Sequence, residues 1–290
     1  MFGRESQVNV SGAYGTLYAG SFYSIVSTQG PFGYLTEVSA FPDSYTAAAR
    51  QSGSTGSVSI IYDNALAYET PHFAGFQAAA MYSSKTNGAI KTGTENKADA
   101  GRYAAAGIRY KSGKAGAALA AEYTMYPNNG TVFGDLDNGF SVIAGGNYDF
   151  GPAKVFAKAA YFHNQYGIDD SLSWAYVMQE MFDTGYAYKG WGAELGTAVP
   201  AAGGTVLAAV GFRDAENVDR GNFRMKRWNG AVAYKYPFSK RTNVYGVAGV
   251  LQEKVNGSVY GTSGKMKGRL GNIDFDGTIC IIAFGIEHRF

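Results

Sequence analysis

Residues 278–290 alternate strictly. Every second position, read back from the end, is Phe290, His288, Ile286, Phe284, Ile282 and Cys280, apolar apart from one His; the other face holds Arg289, Glu287, Gly285 and Ala283. A period of two makes this a strand with one face against apolar material and one against water. It runs to a bare aromatic with no cap or tail, which suggests that the apolar medium is lipid rather than a protein core.

The pattern repeats along the chain. Thirteen strand-like segments fall at 3–13, 16–23, 58–69, 75–83, 102–111, 115–125, 139–150, 153–163, 185–199, 204–214, 225–237, 241–252 and 278–290. In 225–237, Trp228, Gly230, Val232, Tyr234 and Tyr236 share a face opposite Arg227, Asn229, Ala231, Ala233 and Lys235. In 153–163, Val155, Ala157, Ala159 and Tyr161 oppose Lys154, Phe156, Lys158 and Ala160. Forty glycines, 22 tyrosines and only 7 prolines favour strands over helices. No stretch approaches the ~20 apolar residues of a membrane helix, whereas several reach the ~9–11 of a membrane strand.

Connections alternate too. Short turns at 12–15, 70–74, 112–114, 151–152, 200–203 and 238–240 interleave with long loops at 24–57, 84–101, 126–138, 164–184, 215–224 and 253–277. That is the meander of a bacterial outer-membrane barrel, with tight periplasmic turns and long outer loops. On the apolar faces, Tyr110, Tyr148, Phe150, Tyr234, Tyr236 and Phe290 gather at the short-turn end, and Tyr123, Tyr161 and Trp228 toward the long-loop end. Two aromatic belts around a band of small residues fit the two membrane interfaces. The fold class is therefore all-β: a transmembrane antiparallel up-and-down β-barrel, one domain over 1–290. Thirteen is odd, while single-chain bacterial barrels have an even count. An odd number of strands is expected to precede residue 1, and the chain as written is not expected to form a stable channel. The N-terminus has no apolar stretch that would read as a signal peptide.

Five motifs in order resemble the general porins of beta-proteobacteria: Phe2-Gly3-Arg4 with 8–15; 62–68 followed by 70–76; Gly101-Arg102-Tyr103; 238–246; and 285–290. The resemblance implies a sixteen-stranded, trimeric, water-filled channel with three strands ahead of the first motif. It implies passage of small ions and hydrophilic solutes, contact with outer-membrane lipid and lipopolysaccharide, and a last strand (Phe284, Ile286, Phe290) read by the barrel-assembly machinery. It also implies that loop 24–57 folds inward as a constriction, where Glu37 and Asp43 would oppose wall cations. Arg4 matches a family arginine, but Ser21, Ile61 and Ala67 stand where the family usually or often has others.

The water-facing parity carries Arg109, Glu122, Lys154, Lys158, Glu194, Arg213, Arg227, Lys235, Glu287 and Arg289. Solvated in a pore, seven cations against three anions predict weak anion preference. The competing reading of each is cross-strand pairing. Net charge is +2, too balanced to argue for nucleic acid. Residues 135–139 and the acids Asp274 and Asp276 read as polar outer loop, not calcium ligands. His72, His163 and His288 form no metal pair, Cys280 reads as a small apolar residue, and 265–269 as a basic outer surface. No cofactor is expected. A plugged, adhesive barrel is the alternative to an open channel, and an enzyme the weakest class.

Overall fold

The computed structural model describes residues 5–27, 30–41, 61–86, 93–128, 137–166, 187–218, 221–261 and 268–288. These form thirteen strands: β1 (Ser6–Gly12), β2 (Gly15–Tyr23), β3 (Ile61–Glu69), β4 (Phe76–Ser83), β5 (Arg102–Ser112), β6 (Ala115–Met125), β7 (Gly139–Asp149), β8 (Lys154–Tyr166), β9 (Ala187–Ala201), β10 (Gly204–Asn217), β11 (Gly221–Pro237), β12 (Thr242–Gly261) and β13 (Gly268–His288). Each pairs antiparallel with its neighbour in sequence, giving one up-and-down sheet in the order β1 to β13. The short connections are tight. Ala74-Gly75 and Ala202-Gly203 both take positive φ, the backbone that twists in step with two flanking strands.

Burial is inverted relative to a water-soluble sheet. Ile282, Phe284, Val210 and Leu195 are exposed by 73, 82, 62 and 60%, while Arg213 and Arg227 on the opposite face are fully buried. The parity expected from sequence holds through β7 and β11 and through 154–163 of β8, before a bulge between Phe162 and Gln165. The outward aromatics form the two belts. Tyr123, Phe140, Tyr161, Trp191, Phe212 and Trp228 run from β6 to β11, with ring centroids 5.2 Å apart for Trp191–Phe212 and 4.3 Å for Phe212–Trp228. Phe76 and Tyr110, and Tyr148 and Phe150, pair at the short-turn end. Phe290 and Arg289 lie outside the described residues.

Two expected loops are largely strand. Residues 215–217 and 221–224 continue β10 and β11, and 253–261 with 268–277 continue β12 and β13. Asp274 and Asp276 therefore lie in β13, not in a loop. Above the belt the outward face leaves the apolar medium and turns polar, while inward residues such as Ala215, Phe223, Met225 and Val255 stay buried, so the outward apolar row ends although the backbone ladder continues. Polar cross-strand pairs replace it: Lys254–Asp276 at 2.7 Å, Arg224–Asp214 at 2.6 Å and Ser258–Asn272 at 3.2 Å. The hydrogen bond from Lys254 holds the Asp276 carboxyl below its usual pKa.

The outward face predicts its own sensitivity. Val232→Arg, midway between the belts, should destabilise the folded protein in vesicles by about 2–4 kcal/mol, the range for Arg at the bilayer midplane. Lys254→Arg, above the belt, should cost under ~1 kcal/mol. Reversible urea unfolding of the vesicle-inserted protein measures both, and equal costs would contradict the lipid-facing assignment.

Candidate functional site

The inward face is occupied by the described part of the segment linking β2 to β3. Residues 24–27 and 30–41 lie along it, with a short 3-10 helix at Tyr34–Val38. Ile25, Val26, Phe32, Tyr34, Leu35 and Val38 are buried in one cluster with wall residues from β2 to β8, many of them alanines: Ala65, Ala67, Ala79, Ala105, Ala118, Ala120 and Ala160. Farther along, Ala40 and Phe41 join a second cluster with Phe156, Leu207, Ala209, Ala233 and Val247, on β8 and β10–β12. The segment thus spans most of the wall as an apolar strap, and small wall residues leave it room.

Three glycines show how closely it lies. A Cβ on Gly107 of β5 would sit 3.0 Å from both Ile25 and Tyr34. On Gly145 of β7 it would meet Val38 at 2.9 Å, and on Gly196 of β9 it would meet Ala40 at 2.7 Å. The path of contact therefore advances along the strap as it advances from strand to strand.

Polar anchors sit among these contacts. Arg109 donates to Gln77 at 2.9 Å and to the Phe32 carbonyl at 2.9 Å, pairs with Glu69 at 3.4 Å, and lies 4.8 Å from the centre of the Tyr34 ring. Glu37 pairs with Lys111 at 3.0 Å, and its carbonyl accepts a hydrogen bond from Asn147. Lys158 and Glu194 form a 3.1 Å ion pair in which both side chains are almost wholly buried. Ser39 joins them, accepting from Lys158 at 3.3 Å and donating to Glu194 at 3.5 Å. Removing one partner of such a pair costs about 3–5 kcal/mol, because a charge is left buried.

The expected wall charges divide into two groups. Glu122, Lys158, Glu194, Arg213 and Arg227 face inward but are buried rather than solvated. Glu122 accepts from Tyr103 at 2.8 Å and from Ser141. Arg227 donates to Glu253 at 2.7 Å, with Arg213 4.0 Å from the same carboxylate oxygen. The physical reason is crowding: desolvated charges on a packed face persist only when paired. Arg109, Lys154 and Lys235 keep partial access, Lys235 paired with Glu287 at 2.9 Å and Lys154 lying 5.1 Å from the centre of the Phe156 ring. Arg4 and Asp43 lie outside the described residues.

Sequence reasoning missed Glu69, Gln77, Lys111 and Asn147. Their parity was legible, since Lys111 follows Arg109 by two and Glu69 follows Ala67 by two. Legible too was the surplus of inward Ala and Gly, which a wall facing only water does not need. Of the positions where the family resemblance implies arginine, Ser21 donates to Asp63 at 2.6 Å, and Ala67 is buried in the strap's cluster. An arginine at 67 would have to displace that packing.

Comparison with known proteins agrees with this architecture. Residues 1–256 match the Gram-negative porin family. An outer membrane porin of Bordetella pertussis is 25% identical over 311 aligned positions, covering 100% of this chain and 72% of that protein. The solved anion-selective porin of Comamonas acidovorans superposes with a TM-score of 0.60 at 20% identity, over 99% of this chain and 78% of that one. OmpT of Vibrio cholerae superposes with 0.58 at 10% identity, over 98% and 80%. Both share the fold, and this chain spans about three quarters of the length of these proteins. An inside-out antiparallel sheet, belted by aromatics and matched along most of its length, places this chain in the Gram-negative porin family, as an outer-membrane channel for passive diffusion of small hydrophilic solutes and ions.

Proposed function

We propose that the strap at 24–27 and 30–41 is the described part of the channel's constriction, within a single barrel domain whose loop 24–57 narrows the lumen. The observation that carries this is its bedding on the inner wall through Gly107, Gly145 and Gly196. Solutes passing it meet the charges that retain access: Lys111 and Glu37 together, Arg109 beside Glu69, Lys154, and Lys235 beside Glu287. Most are paired, so the field is shallow and the preference for anions weak. The Comamonas relative is described as anion-selective, which supports the sign.

The buried ion pairs act differently. Lys158 and Glu194 hold the strap at Ser39, and Arg213 and Arg227 share Glu253 within the wall; these groups set the shape of the lumen rather than its charge. The reading is a channel, not an enzyme. A homotrimer is supported by the trimer form in which Vibrio OmpT has been solved. Phe284 and Ile286, on the exposed outward row of β13, would serve with Phe290 as the strand read by the assembly machinery, and the belts would meet phospholipid and lipopolysaccharide.

Two measurements test the constriction. Glu37→Gln leaves Lys111 unneutralised and should raise the anion-to-cation permeability ratio about twofold to fivefold, the size of one unit charge at close range in water. Reversal potentials across a planar bilayer in a salt gradient report it, and an unchanged ratio would remove Glu37 from the ion path. Gly145→Leu, clashing with Val38, should unseat the strap and raise single-channel conductance. A conductance equal to that of the unmodified channel would show that the strap does not limit flow.

A further inference from the structure

The outward face carries one feature that passive diffusion does not use. At the short-turn end of β11–β13 a groove of about 640 Å³ is lined by Tyr234, Tyr236, Val244, Gly246, Phe284 and Ile286, among others. Its form follows from register. Tyr236, Val244 and Ile286 lie side by side across three strands, then Tyr234, Gly246 and Phe284, then Val232, Ala248 and Ile282. β12 is therefore a floor of small residues between two taller walls. A Cβ on Gly246 would sit 3.0 Å from the Phe284 ring, so that glycine is what opens the floor beside Phe284. One wall is pinned, since the Tyr234 hydroxyl donates to the Ala202 carbonyl at 2.9 Å.

The groove lies at the mouth of the β11–β12 turn, which holds Lys240 and Arg241, both exposed. Neither has an ion-pair partner among the described residues. Val244 to Ala248 spans four residues, about 14 Å, close to the ~15 Å depth of one leaflet of a ~30 Å hydrocarbon core. An apolar trough one leaflet deep with two cations at its periplasmic end has the layout of an acyl chain and an anionic headgroup.

We propose that this groove is a binding site for one anionic phospholipid of the periplasmic leaflet, its chain over Gly246 and its phosphate held by Lys240 and Arg241. The site rests on the membrane-spanning reading of the sheet. Each cation beside a lipid surface contributes enough for about a fivefold gain in affinity, and the pair about thirtyfold.

Native mass spectrometry of the full chain, inserted into mixed phosphatidylglycerol and phosphatidylcholine vesicles and then extracted, tests the proposal. The unmodified protein should retain one phosphatidylglycerol. Gly246→Leu should lose it by filling the floor, while Ala106→Leu, on the outward face of β5, should keep it. Lys240→Gln with Arg241→Gln should lower the preference for phosphatidylglycerol over phosphatidylcholine by about thirtyfold without altering the fold. Retention of no lipid by the unmodified protein, equal loss in the Ala106 and Gly246 variants, or an unchanged headgroup preference would overturn the site. So would a Gly246→Leu protein that keeps its lipid but falls from oligomer to monomer, since the groove would then seat a second copy. Heat-modifiable migration and conductance, read on the same vesicles, report insertion separately, so failure of the membrane reading is distinguishable from failure of the site.

Discussion

Backbone hydrogen bonding against lipid is the constraint on which this structure depends. A strand with one face in hydrocarbon cannot leave its N–H and C=O groups to water, because each unpaired group costs several kcal/mol there. The chain meets this with the simplest arrangement available, in which every strand pairs with its neighbour in sequence. With the ladder fixed, side chains have only two destinations, and the period of two sorts them. Between the belts charged side chains go inward, together with the apolar residues that seat the strap, and the outward row is left to apolar and small residues.

The sorting creates a second problem, which the strap resolves. A wall whose polar face is turned inward around water would leave long charged side chains free to move. Here residues 24–27 and 30–41 cover much of that wall, and the charges buried on it are paired. Lys158 and Glu194 close on Ser39 of the strap; elsewhere on the inner wall Arg213 and Arg227 share Glu253, and Glu122 is held by Tyr103 and Ser141. Packing density at the wall and ion pairing are thus one phenomenon. Alanines and glycines admit the strap, the strap excludes water, and excluded water obliges the charges to find partners. The charges left partly accessible are the ones a passing ion can feel.

Much of this was legible beforehand because the signals are local. Strand positions, outward parity, the short turns and both belts depend on residues within a few positions of one another. β6 was expected at the residues it occupies, and β7 and β8 differ by a few residues at their ends. The errors fell where locality fails. Beyond the upper belt the outward face of the β10–β13 extensions is polar, so the outward apolar row that marks a membrane strand ends while the ladder persists. The solvation of Arg213 or Lys158 was likewise unreadable, because parity says which face a side chain takes and nothing of what lies over that face.

The sequence by itself determined the sheet, its direction of travel and which face meets lipid, since each follows from periodicity and turn chemistry within single hairpins. Only the tertiary structure decided that Gly107, Gly145 and Gly196 form one path under Ile25, Tyr34, Val38 and Ala40, or that Glu37 meets Lys111 seventy-four positions away. Those contacts join segments remote in the chain. Their physical basis is shape, a strap fitted to a wall of small residues, and shape appears only when the strands are side by side.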